Sequence, residues 1–168
     1  MAAMAAKPDF PPLLAPGFHR LSLDGLRRLC CFPYNIHRSH LFLHVEQLVQ
    51  DLLLRHVACE LWINGSFLTH KETPGDVDVI VKLDYDVTMT LNEHQKELID
   101  VLGEGSYNDQ IDSFTFTYIP RGHAEFDTAE GDRSEWSRLF NLEHGDFWLK
   151  GVAVIRVGEN DVGLRFYP

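Results

Sequence analysis

From His37 to His56 the apolar residues recur at steps of three and four: Leu41, Val45, Leu48 and Leu52, flanked by Phe42, Val49 and Leu53. That period lays one broad apolar stripe along a helix and turns Glu46, Gln47, Gln50 and Asp51 toward water. The period then changes. Residues 58–64 form a short apolar run with Cys59, Leu61 and Ile63 on one face, and Gly65 breaks it. Residues 76–83 alternate, Val77, Val79, Val81 and Leu83 against Asp76, Asp78 and Ile80. Apolar residues on both sides predict an interior strand. Residues 111–119 alternate again, Asp112, Phe114, Phe116 and Tyr118 against Ser113, Thr115, Thr117 and Ile119, which predicts a strand with an aromatic face. That face reads as core rather than as a platform for stacking bases. Residues 152–157 read as a last strand.

Local signals set the boundaries. Ser22 or Asp24 caps a short helix over residues 22–29, and Thr73-Pro74-Gly75 has the chemistry of a turn. Thr90 and Glu93 form an expected capping box for a helix through Leu102 that Gly103 ends. Asp132 and Glu135 cap a further short helix bearing Trp136, Leu139 and Phe140. Residues 1–17 are proline-rich without a helical period and read as a tail or surface segment, leaving 18–168 as a single domain. The order of elements predicts an α/β (α+β) fold, a small mixed β-sheet flanked by helices.

Composition narrows the classes of function. A chain of 168 residues, 45 % hydrophobic and 11 % aromatic, suits one packed globular domain. A formal net charge of −10 argues against gripping nucleic acid through phosphate neutralisation. It suits a cationic small molecule or a metal-chelated nucleotide. Cys30, Cys31 and Cys59 form neither a disulfide framework nor a CxxC metal site, and read as reduced thiols of a cytoplasmic protein. The first residues lack the pattern of a signal peptide and no apolar run approaches a membrane span, so a soluble protein without membrane contact is expected.

Candidate chemistry concentrates in one block. Leu61-Trp62-Ile63-Asn64-Gly65-Ser66 is followed, after nine residues, by Asp76-Val77-Asp78. Asp76 and Asp78 leave one face of a strand about 7 Å apart. Their oxygens can converge on one Mg2+ at about 2.1 Å. Without a cation, two such charges about 4 Å apart repel by about 4 kcal/mol at an effective dielectric near 20. A second ion then holds an attacking oxygen. For the third carboxylate, Asp112 is the first choice, with Asp109, Glu125 and Asp127 as rivals. Gly65, without a Cβ, lets the backbone approach phosphate, and a helix start after it points N–H groups the same way. The Ser66 hydroxyl adds a donor for the terminal phosphates. Other signals read as structural: His40 and His44 as a solvated helix face, and Lys71, Lys82 and Arg121 as surface charge.

At these residues the chain resembles the nucleotidyltransferase superfamily, whose palm-like fold is shared with DNA polymerase beta. Ile63-Asn64-Gly65-Ser66 and Asp76-Val77-Asp78 match that family's apolar-Gly-Ser and Asp-x-Asp signature. More closely, the chain looks like a small bacterial and phage branch of nucleotidyltransferase-like domains, with Pro16-Gly17, the Trp62 to Val81 block and Lys150-Gly151-Val152 as landmarks. Gly75 departs from the pattern, since many members place Ser directly before the first acid. The resemblance implies two Mg2+ ions and transfer of a nucleoside monophosphate from a nucleoside triphosphate, ATP foremost. The acceptor is a hydroxyl of a protein, a tRNA or a small molecule such as a cationic sugar. Asp76 and Asp78 carry over as metal ligands, Gly65 and Ser66 as nucleotide binders, and Asp112 as the third acid. The resemblance also implies a toxin–antitoxin or phage-defence setting. In that setting the alternative is a catalytically inactive binding module that acts through a cognate partner protein.

Overall fold

A computed structural model describes residues 10–120, 122–126 and 150–158. The chain begins with β1 (Gly17–Arg20), α1 (Leu23–Cys31) and α2 (Ile36–Leu54). It continues through β2 (Cys59–Asn64), one 3-10 turn (Ser66–Leu68) and β3 (Val77–Asp84). Then come α3 (Tyr85–Thr90), α4 (Glu93–Gly103), β4 (Ile111–Tyr118) and β5 (Gly151–Val157). The strands form one mixed sheet in the order β1-β5-β2-β3-β4. The β2 strand runs antiparallel to both neighbours, while β3 with β4 and β1 with β5 are parallel. This is the α+β architecture that the hydrophobic pattern predicts.

The strand periodicity of two explains the layering. Leu61, Ile63, Val77, Val79, Val81, Ile111, Ala153 and Ile155 face one side and are almost fully buried. Against them pack Leu26 of α1, Leu41, Val45, Leu48 and Leu52 of α2, and Leu98 and Leu102 of α4. The opposite side carries a smaller apolar cluster: Trp62, Ile80, Phe116, Val152 and Val154. The strand containing Asp78 is therefore interior, as its two apolar faces require.

Several expectations need correcting. The α4 capping box is Asn92 with Gln95, not Thr90 with Glu93: Asn92 Oδ1 accepts from the Gln95 N–H at 3.0 Å, and Gln95 Oε1 from the Asn92 N–H at 2.9 Å. Thr90 instead ends α3, its hydroxyl donating back to the Asp86 and Val87 carbonyls. Gly17, read from sequence as the end of the tail, and residues 18–20, given no element there, form edge strand β1. In β4 the Ser and Thr face, not the aromatic face, meets the helices. Ser113 is fully buried there and donates to the Leu102 carbonyl at 2.8 Å, while on the other side Phe114 is 40 % exposed. The expected helix around Trp136 lies outside the described residues. Among the described residues, no helix is long and apolar enough to cross a membrane.

Backbone contacts tie the segment before β1 to the rest. Leu13 N–H donates to the Leu68 carbonyl, His70 N–H to Pro11, and Gly151 N–H to Leu14. Gly151 permits this passage, since a Cβ there would lie 2.3 Å from the Ala15 carbonyl oxygen.

Candidate functional site

The side of the sheet away from α1, α2 and α4 reads as rows. In the first, Asp112 of β4, Asp78 of β3 and Asn64 of β2 are register partners across three strands. The second row holds Phe114, Ile80, Trp62 and Val154. The third holds Phe116, Lys82, Glu60 and Arg156. Register partners point to the same face, with strands about 4.8 Å apart. The acidic positions thus gather at one end of this face, and an apolar and aromatic row separates them from the charged row.

That charged row is internally matched. Glu60 accepts from Trp62 Nε1 at 3.1 Å and Arg156 Nε at 3.2 Å, and Lys82 Nζ lies 2.9 Å from Asp84. Lys82 also stands 4.7 Å over the Tyr118 ring. It is engaged within the sheet and is no spare charge for a ligand.

At the acidic end, β2 stops at Gly65, whose φ of 73° and ψ of −164° belong to a region that only glycine occupies readily. A Cβ on Gly65 would fall 1.5 Å from Asp78 Oδ2 and 2.5 Å from Asp78 Cγ. The glycine–serine bend and the Asp78 carboxylate are thus in direct apposition. Asp112 is exposed and stands directly across from Asp78. Asp76 lies just before β3 rather than in it, half-buried. Continuing the register places it level with Ser66 on one side and Gln110 on the other.

Other placements differ from expectation. Ser66–Leu68 is a single 3-10 turn, so no helix N-terminus follows Gly65. Among the rivals for third carboxylate, Asp109 sits outside the sheet register, Glu125 lies in an exposed turn, and Asp127 is outside the described residues. Among the described residues, no group of three His, Cys, Asp or Glu side chains is arranged to hold a metal ion. His40 and His44 pack their rings edge to face at 4.9 Å, and burial, with His40 alongside, lowers the His44 pKa.

Three residues gain importance only in three dimensions. Asn64 is 3 % exposed, and its Oδ1 is fully buried without a hydrogen-bond partner. Lys150, also buried, stands immediately before β5, at the end of the sheet where Ser66 lies. Arg38, 6 % exposed, donates to the carbonyls of Cys30, Phe67 and Lys71. With Asn35 bonded to the Glu72 carbonyl and His37 to that of Pro74, the start of α2 holds the loop between Ser66 and Asp76. A polar residue at the inward end of an apolar strand was the available signal for Asn64. Nothing in the periodicity marks Arg38.

In class, then, this is an α+β domain whose sheet, among the described residues, packs α1, α2 and α4 on one side and carries two carboxylates and an amide in one row on the other. The chain belongs to a family of unknown function, DUF6932, whose model matches residues 8–156. Neither a curated protein nor a solved structure matches it.

Proposed function

We propose that this protein is a Mg2+-dependent nucleotidyltransferase acting at the Gly65, Asp78 and Asp112 end of the sheet face opposite α1, α2 and α4. The observation that carries the reading is the apposition of Gly65 and Asp78, which joins a phosphate-approaching backbone to a carboxylate that can meet the same ligand. Asp112 beside Asp78 supports it. Two carboxylates about 5 Å apart repel by about 3 kcal/mol when both are ionised at an effective dielectric near 20, a cost that a divalent cation reverses. When bound, Mg2+ neutralises phosphate charge and orients the triphosphate.

The chain's own groups supply the rest. The Gly65 backbone lies against the β- and γ-phosphates, and the Ser66 hydroxyl donates to them. Asp78 and Asp112, register partners, would hold one Mg2+, with Asp76 beside Asp78 for a second. Asp112 accepts the proton of the attacking hydroxyl. The acceptor oxygen bonds to the α-phosphorus, the bond from that phosphorus to the bridging oxygen breaks, and pyrophosphate leaves.

Incubation with α-labelled nucleoside triphosphate and cell extract tests this. Asp76→Asn and Asp78→Asn should each abolish label transfer while circular dichroism is unchanged. Undiminished transfer in both overturns it. The lack of a three-carboxylate group among the described residues favours a second reading, a nucleotidyltransferase-like binding module without turnover. Tight binding of a partner protein with no affinity for Mg2+ and nucleotide would establish that one.

A further inference from the structure

The row Asn64–Asp78–Asp112 contains an anomaly. Asn64 lies at the end of β2, directly across from Asp78, and its Oδ1 is buried with no donor to satisfy it. An unsatisfied buried acceptor costs about 1–3 kcal/mol. An apolar side chain, such as that of Trp62 two residues earlier on the same face of β2, would avoid that cost. A buried amide oxygen without a donor, in one row with two carboxylates, is arranged for a positive charge. Divalent magnesium, manganese and calcium take such amide and carbonyl oxygens together with carboxylates.

We infer that Asn64 is a direct oxygen ligand of a divalent cation, completing with Asp78 and Asp112 a three-oxygen set of two carboxylates and one amide. This deepens the reading above and rests on it. It also accounts for the absence of a three-carboxylate group among the described residues, because the third donor is neutral. Two carboxylates and an amide bring a divalent ion to a net charge of about zero, where three carboxylates would leave about −1. Such a set holds the ion less tightly alone and leaves it more affinity for phosphate oxygens.

Mn2+ alone is the probe. The unbound ion is counted by its electron paramagnetic resonance signal in a titration of the full chain, with thermal unfolding followed in parallel. Wild type should take up Mn2+ and melt at a higher temperature with it. Loss of even an outer-shell partner of a metal typically weakens binding about 10–100-fold. Asn64→Leu should therefore weaken uptake by at least about tenfold. Without the ion, the same variant should melt no lower than wild type, because the orphan acceptor is gone. Asn64→Asp, which keeps an oxygen in place, should retain uptake. If Asn64→Leu binds Mn2+ like wild type while Asp78→Asn does not, the inference fails and the two-carboxylate site stands. If wild type binds no Mn2+, with or without nucleotide, the inference and the proposed function fail together.

Discussion

Gly65 and Asp78 occupy space that only one side chain can fill: a methyl group on Gly65 would fall 1.5 Å from the Asp78 carboxylate oxygen. The contact brings together two segments of the chain separated by the loop from Ser66 to Gly75. Its consequence is that the smallest substitution at residue 65 must move Asp78 as well as strain the backbone.

Gly65→Ala should therefore destabilise the fold and disable the site together. The backbone angles alone cost a non-glycine residue about 1–3 kcal/mol. Urea unfolding should register that loss, and binding of Mn2+ by the folded variant should weaken. A variant with wild-type stability and binding would show that Asp78 yields at no cost.

Arg38 should prove a structural anchor for the loop. Replacing it by methionine leaves the carbonyls of Cys30, Phe67 and Lys71 without their donor. At about 1–3 kcal/mol for each unsatisfied buried group, a loss of about 3 kcal/mol or more is expected in chemical denaturation. A loss below about 1 kcal/mol would mean that water replaces the guanidinium.

Much of this architecture is legible in the residue pattern. The long apolar stripe of α2 and the alternation of β3 and β4 are strong because each buries one continuous face. What the pattern hides is which face. In β4 the hydroxyl residues turn inward, because Ser113 finds the Leu102 carbonyl, and Gly103 gives Thr115 room: a Cβ there would lie 2.9 Å from its hydroxyl. Pairing is equally hidden. Asp112 stands beside Asp78 through a parallel register that depends on the whole β3–α3–α4–β4 connection. Asn64 reads as the end of a strand until its buried oxygen is seen to lack a donor. The Asn92 cap was missed because Thr90 offers the same chemistry two residues earlier, where the short helix α3 claims it.

The Asn92 capping box predicts a modest, local effect. Asn92→Ala should cost about 1 kcal/mol and increase amide exchange in the first turn of α4, while leaving β3 protected. Equal exchange across α4 and β3 would instead indicate one cooperative unit.

The thiols predict an alkaline limit to stability. Burial pushes Cys30 and Cys59 up from their ordinary 9.0 to about 12, and burial with a hydrogen bond to Asp51 also raises Tyr107. Folded, these groups keep protons that the unfolded chain releases. Their contribution is intact below pH 9.0 and declines as pH rises toward about 12, on the order of 1 kcal/mol per pH unit for each thiol. Urea midpoints measured from pH 8 upward, by about one-unit steps, should fall accordingly. With a thiol reagent at neutral pH, half-buried Cys31 should react before Cys30 or Cys59. Early modification of Cys59 would contradict its burial.

The central claim is that Asp78 and the Gly65–Ser66 bend receive one chelated triphosphate. Calorimetric titration with an ATP analogue bearing a methylene between the α- and β-phosphorus atoms tests it without turnover. Saturable heat that requires Mg2+ and disappears in both Asp78→Asn and Gly65→Ala is the predicted result. Equal heats in all three proteins, or none in wild type at any Mg2+ concentration, would contradict it.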